Sequence, residues 1–268
     1  MRKGLLFVTL CALGVALFGS VRAEEKTSPS KAELHEVIAI LRARALPGGG
    51  EPEYSASMLC NSVQTNSACA VVVSEGSIGF VPRDVTDAQL FKLVPSDAPS
   101  EALRFLFTLH SHSADFFTKR YVAENNNGKY PALSLPKPSE LLVGPTGSDD
   151  CAEYNSRYLH RANIMSVSVI VEAGGIWVCG AGPTLVILDA KRSIRMKQAR
   201  LKLIRASQTL TMTARGKAIQ HYTDEMMRIY PELVLHYIAR DAHQAEIRRT
   251  AEAVVARILK MRIEWRAR

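Results

Sequence analysis

The chain has 268 residues, of which 47% are hydrophobic and 22% are charged, and its formal net charge is +8. These proportions are those of an ordinary globular protein, and they exclude a disordered, collagen-like or low-complexity chain. The length allows one sizeable core with an additional helical region, and it is too short for three ordinary domains.

The first 23 residues have the pattern of a secretory signal peptide. Arg2 and Lys3 precede an uncharged run at residues 4–19, and a small-residue site that ends at Ala23 follows it. This order is typical of a cleaved export signal. The run is shorter than the roughly 20 residues that span a bilayer, although a retained anchor is the alternative. We therefore expect cleavage near Ala23 and a protein that is periplasmic or secreted.

Cleavage would remove three cations, which lowers the net charge to +5, and one of the five cysteines. An even number of cysteines in an oxidising compartment predicts two disulfides. Three pairings are possible, and we favour Cys60–Cys69 and Cys151–Cys179 because each closes a short local loop. A zinc site made of cysteines is the alternative, but the chain has no CxxC spacing to support it.

Residues 24–190 combine helical and strand patterns. Ser30 with Glu33 has the form of a capping box, and apolar residues then recur at helical spacing until Pro47 and three glycines end the helix. Short Val-, Ile- and Phe-rich runs predict strands at residues 68–73, 77–81, 103–109, 166–171, 176–178 and 185–188. Residues 125–145, rich in Asn and Pro, predict a long irregular excursion, which often lies over a site. The fold class expected is α/β, with a mixed β-sheet flanked by helices.

Residues 191–268 form a basic region with 18 Lys and Arg against 7 Asp and Glu. Apolar residues from Ile247 to Trp265 lie on one stripe and predict a long terminal helix, which Pro231 separates from an earlier helical stretch. We expect a helical C-terminal extension whose cationic face either is merely solvated or contacts a protein or an anionic surface. Nucleic acid is not expected, because aromatic residues do not alternate with the cations as a base-stacking surface requires.

The most informative motif is His110-Ser111-His112, directly after the apolar run at 103–109. Two histidines separated by one residue at a strand end can point to the same side of a sheet. Neutral imidazoles placed in this way are natural ligands of zinc. The alternative is that both are ordinary polar residues where a strand leaves the sheet.

The chain also contains Glu75 ahead of a glycine-containing apolar strand, and Thr146-Gly147-Ser148-Asp149 downstream. In this order the motifs resemble those of the JAB/JAMM (MPN-type) metallopeptidase family. The resemblance implies a JAB-like α/β domain over residues 24–190, with zinc bound by His110, His112 and Asp149. It also implies a helix after Asp149 and a hairpin around Gly174.

The resemblance further implies that Glu75 transfers the proton of a zinc-activated water to the leaving amine, and that Ser148 or Thr146 stabilises the oxyanion. Asp150 is the alternative third ligand, and Glu51 or Glu53 is the alternative base.

The resemblance thus implies a zinc-dependent peptidase or isopeptidase acting on peptide, protein or peptidoglycan-linked substrates. The competing hypothesis is a non-catalytic periplasmic adaptor or structural component of an envelope or secretion system. Zinc content distinguishes the two.

Overall fold

The computed structural model describes residues 30–61, 69–76, 89–90, 104–126, 138–146, 150–151, 164–183, 189–207 and 211–268. The predicted signal peptide at residues 1–23 and the predicted strands at 77–81 and 185–188 lie outside these ranges. Of the helix expected after Asp149, the ranges include only Asp150 and Cys151, and both are helical. Part of the predicted excursion at 125–145 lies outside them as well.

Seven strands, five α-helices and one 3-10 turn have their bounds within the described residues, and residues 89–90 and 150–151 are also helical. In chain order they are β1 Ser30–Ala32, α1 Leu34–Ala45, β2 Tyr54–Cys60, β3 Cys69–Glu75, β4 Arg104–Ser111, α2 Ala114–Asn126, the 3-10 turn Pro138–Glu140, β5 Ile164–Val171, β6 Gly175–Ala181, α3 Ala190–Ser207, α4 Met212–Ile229, β7 Leu233–Ala239 and α5 Gln244–Arg266. None of these helices combines the length and the apolar character that a membrane crossing needs.

The strands form one mixed sheet in the order β1-β3-β2-β4-β5-β6-β7. Only the β4–β5 pair is parallel, and its register runs from Arg104 opposite Ile164 to Ser111 opposite Val171. The remaining neighbours are antiparallel, including the β5–β6 hairpin that the sequence predicted around Gly174. The expected fold class, an α/β mixed sheet flanked by helices with a C-terminal helix, is confirmed.

Each face of the sheet is covered by a different pair of helices, because alternate strand residues point to opposite sides. Phe107, Val169 and Val178 pack with α1 and α5 on one face. Ile170 and Trp177 pack with α3 and α4 on the other. The predicted terminal helix, α5, contributes the apolar stripe that covers the first of these cores, at Ile247, Ala251, Val254, Val255 and Ile258.

Two disulfides join the pairs favoured from spacing. Cys60–Cys69 connects the end of β2 to the start of β3, and Cys151–Cys179 connects the segment after Asp150 to β6. Both bonds are buried against the hydrophobic cores.

Two local expectations were wrong. Ser30 does not cap α1: residues Ser30–Ala32 are strand β1, paired with β3, and Glu33 with Glu36 forms the capping box instead. Residues 191–268 are not entirely helical, because they also contain β7, the edge strand next to β6. A strand is favoured over a helix there because alternate residues can then pack on both sides of the sheet. Leu233 and Leu235 pack in one core and Val234 packs in the other.

Candidate metal centre

The two histidines of the His-x-His motif lie at the carboxyl end of β4, on the sheet face covered by α3 and α4. His110 is opposite Ile170 of β5, and the backbone N–H of His112 still donates to the Val171 carbonyl at 2.9 Å. Because the pairing of β4 with β5 extends one residue past Ser111 to His112, the side chains of His110 and His112 point to the same side. Both are almost fully buried, at 1% and 3% exposure.

Asp150 joins the two histidines. One ligand atom from each of His110, His112 and Asp150 lies within 4.8 Å of the others, and all three residues are buried. His110 Nε2 is 3.2 Å from His112 Nε2, and the two Asp150 oxygens are each 3.7 Å from one of these nitrogens. Tetrahedral ligands at zinc's usual bond lengths are about 3.3–3.6 Å apart. The three side chains can therefore hold a metal ion with little rearrangement.

Thr146 fixes the orientation of Asp150. Its backbone N–H and its hydroxyl both donate to Asp150 Oδ2, at 2.6 and 3.0 Å. The next residue, Cys151, is tied to β6 by its disulfide with Cys179. The third ligand is thus held from both sides, by a threonine before it and a covalent bond after it.

Glu172 is a carboxylate of the site that the sequence reasoning missed. It follows β5 directly, and the parallel register that places Ser111 beside Val171 places His112 beside Glu172. Glu172 Oε1 lies 2.9 Å from His112 Nδ1, while Oε2 accepts from the Val143 backbone N–H and the Trp177 indole at 3.0 and 3.1 Å. With Nδ1–H donating to Glu172, the Nε2 lone pair of His112 faces Asp150 and His110. This is the arrangement that fixes metal-binding histidines in other proteins.

Glu53 approaches His112 from the other neighbouring strand. In the antiparallel β2–β4 pair Ser55 is opposite His110, and continuing the register by two residues brings Glu53 opposite His112. Glu53 is 7% exposed, and its negative charge acts on His112. The end of β4 therefore lies between two carboxylates, Glu53 just before β2 and Glu172 just after β5.

The surroundings raise the pKa of His112. Burial alone lowers this pKa, but the hydrogen bond to Glu172 and the charges of Glu172, Asp150 and Glu53 outweigh it. The imidazole thus lies among anionic groups, an environment that also favours a bound cation.

The segment before Glu53 is tied to the helix that follows the histidines. Gly48 and Gly50 adopt left-handed φ angles of 84° and 97°. Their backbone N–H groups both donate to the Asp115 carboxylate in the first turn of α2, at distances of 3.0–3.2 Å. Glycine accepts these angles at no steric cost. The turn thereby holds the start of β2, and with it Glu53, beside the end of β4.

The structure brings together some of the predicted site residues and separates others. His110, His112 and the alternative ligand Asp150 converge. Asp149 and Ser148 lie outside the described residues. Thr146 is at the site, but its hydroxyl is engaged by Asp150 rather than directed at a substrate.

Glu75 is not brought to the histidines. It lies at the end of β3, which is separated from β4 by β2, and it is solvent-exposed. It is paired with Tyr54, whose pKa is raised by burial and by the Glu75 charge. Glu53, one of the two alternatives for the base, is the carboxylate placed beside His112. The sequence shows a carboxylate directly before β2, but only the β2–β4 pairing shows that it lies beside His112.

Two imidazole nitrogens and one carboxylate oxygen suit a divalent ion such as zinc, and they leave a fourth position for water or substrate. Comparison with known proteins adds no assignment: the chain matches no protein-family model, no curated protein and no solved structure. The chemistry of this chain is therefore argued from its own side chains, which form a buried His-His-Asp group able to hold a metal ion.

Proposed function

We propose that this protein is an exported zinc-dependent hydrolase of amide bonds, of the JAB/JAMM type, acting on peptide, protein or peptidoglycan-linked substrates. The observation that carries the proposal is the convergence of His110, His112 and Asp150 at metal-ligand separations. The resemblance in motif order supports the same reaction class, with Glu53 in place of Glu75. The two disulfides support an oxidising compartment, such as the periplasm or the exterior.

The donor set fits zinc, because two neutral imidazoles and one carboxylate leave one coordination position open. When bound, zinc supplies a Lewis acid that activates water and polarises a carbonyl group. Glu172 holds His112 in the tautomer that presents Nε2 to the ion. Thr146 keeps both carboxylate oxygens of Asp150 directed at the histidines.

Glu53 is the residue we assign as general base and acid. A carboxylate beside the ligands can accept a proton from the attacking water and return it to the departing amine nitrogen. Its burial beside His112 gives it the position for this transfer, whereas the exposed Glu75 lies beyond β2. The ordered hydrogen bonds of Glu172 leave that second carboxylate in an orienting role.

The test is hydrolysis of a library of peptides and isopeptide-linked conjugates by the zinc-loaded protein. Replacement of Glu53 by Gln is expected to lower kcat by about 100-fold or more while zinc stays bound, since general catalysis of this kind contributes about 10²–10⁴-fold. The matched control, Glu75→Gln, is expected to leave kcat unchanged. Zinc-loaded protein that cleaves no amide, or a Glu53→Gln variant of full activity, would reject the proposed reaction and favour a binding role.

A further inference from the structure

A cavity of about 330 Å³ opens between the start of α4 and the end of β7. Its walls also include the 3-10 turn and Gly174 of the β5–β6 turn. Met212 and Ile219 supply apolar surface, and Met212 is 81% exposed at its rim. The volume is that of a small-ligand site.

Two guanidinium groups line this cavity. Arg215 is 16% exposed and is fixed by donating to the Glu140 carbonyl at 2.9 Å and to the Tyr237 phenol. Its ion pair with the Glu140 carboxylate is 3.9 Å long, and that carboxylate is 46% exposed. Arg240 also lines the cavity, and its ion pair with Asp241 lies at the surface, where such pairs are weak.

Tyr237 contacts Arg215 and fixes the direction of its guanidinium group. Burial raises the pKa of Tyr237 to about 12, so the phenol stays protonated and donates to the Gly174 carbonyl at 2.6 Å. Arg215 is therefore held in one orientation by a neutral partner. An orientated guanidinium beside apolar surface is suited to bidentate binding of a carboxylate that carries an aliphatic group.

The position of the cavity favours a peptide over a free aliphatic acid. Tyr237 and Ala239 belong to β7, which is an edge strand, and no described strand pairs with its outer side. Backbone groups at a sheet edge can pair with an extended peptide, while adjacent pockets take its side chain and terminal carboxylate. We propose that the cavity between α4 and β7 binds the C-terminal residue of a peptide that ends in an aliphatic side chain.

This site uses none of the three metal ligands, so it stands apart from the proposed function. The test is calorimetric titration of the full chain with the tripeptide acetyl-Ala-Ala-Leu, as the free acid and as the C-terminal amide. The acid is expected to bind about tenfold more tightly or better, because the amide lacks the charge that Arg215 recognises. Removal of the metal is expected to leave both affinities unchanged, which separates this site from the metal centre.

Two variants locate the binding. Arg215→Met is expected to abolish the preference for the acid, and Arg228→Met, on the exposed side of the same helix, is the matched control. Gly216→Leu is expected to weaken binding of the acid about tenfold or more by filling the cavity mouth. An added Cβ at Gly216 meets no atom within 4 Å, and leucine is favoured over glycine in helices, so this variant is expected to fold.

The proposal is overturned by equal affinity for the acid and the amide, or by unchanged binding in Gly216→Leu. Octanoate that binds as tightly as the tripeptide acid would also overturn it, because the site would then recognise a free aliphatic acid rather than a peptide end. The proposal is also overturned if neither tripeptide binds.

Discussion

At the scale of single residues, the metal centre depends on side chains that do not bind the metal themselves. Thr146 uses part-buried hydrogen bonds to orient Asp150, and Glu172 uses a buried one to orient His112. The ligand and its support can therefore be tested separately, because losing a ligand removes a coordination bond whereas losing a support leaves the bond poorly directed.

Asp150→Asn is expected to lower zinc affinity by more than the ~10–100-fold typical of supporting residues, because an amide is a much weaker ligand than a carboxylate. Asp149→Asn is the matched control and is expected to retain the metal. Competition with a zinc-binding dye measures both affinities. Zinc lost from Asp149→Asn and kept by Asp150→Asn would restore the ligand that the sequence first indicated.

Glu172→Gln is expected to weaken zinc binding by about 10–100-fold and to lower the pKa of His112 in the metal-free protein. The pKa falls because the Glu172 hydrogen bond and charge are the largest contributions that raise it. Zinc requires neutral His112, so in the unaltered protein affinity falls as pH decreases, and the fall begins above the ordinary histidine pKa of 6.5.

In Glu172→Gln the same fall is expected at lower pH. Zinc titrations across a pH series, with the imidazole followed by NMR, measure both effects. An unchanged pH profile would show that Glu172 does not act through His112.

Site residues that are close in sequence could be predicted, whereas those brought together by strand pairing could not. His110 and His112 are on one strand, so their common direction follows from spacing alone. Glu53 and Glu172 reach the site only because β4 lies between β2 and β5, and strand order is not a local property of the sequence. Whether Asp149 or Asp150 faces the histidines depends on the local geometry around Thr146, and a spacing pattern does not specify that geometry.

At the scale of elements, the two disulfides differ in their relation to the site. Cys151 directly follows the ligand Asp150 and is bonded to Cys179 of β6, whereas Cys60–Cys69 joins β2 to β3 at the strand ends distant from Glu53. The pairing could be predicted from loop length, but the connection to a metal ligand required the fold.

The variant Cys151→Ser/Cys179→Ser is expected to lose both stability and zinc affinity, because the covalent link that holds the Asp150 segment to β6 is then absent. The variant Cys60→Ser/Cys69→Ser is expected to lose stability alone, by the ~2–5 kcal/mol typical of a native disulfide. Thermal unfolding and zinc titration, each on both variants, separate the effects. Equal zinc affinity in the two variants would show that the Cys151–Cys179 bond has no part in the site.

The sequence predicted strands where apolar residues are continuous, as in β4 and β5, but it did not predict β1, β2 or β7. In β2 serines alternate with apolar residues, and Ser55 and Ser57 are buried in the sheet, so composition concealed a core strand. β7 lies between two long basic helices, and its exposed His236 interrupts the apolar pattern.

At the scale of the whole molecule, the basic region at residues 191–268 is part of the domain's own cores. α3 and α4 cover one face of the sheet, while α5 covers the other. The cations are therefore distributed over both sides, and some are paired locally, as Arg195 is with Glu225.

Deletion of residues 241–268 is expected to abolish folding. It removes four large buried aliphatic side chains of α5, each worth ~1.5–3 kcal/mol, which together approach the ~5–15 kcal/mol stability of a typical domain. The milder Ile258→Ala is expected to cost about 2–5 kcal/mol. Denaturant unfolding measures both, and a truncated chain that keeps its fold and its zinc would show that the terminal helix is a separate element.

The central claim is that His110, His112 and Asp150 form one zinc centre. Metal analysis of the purified full chain, combined with zinc X-ray absorption spectroscopy, tests it most directly. The expected result is about one zinc ion per chain with nitrogen and oxygen ligands and no sulfur, lost in the His110→Ala/His112→Ala variant. Protein that stays free of metal in excess zinc, or a double variant that retains the metal, would contradict the claim.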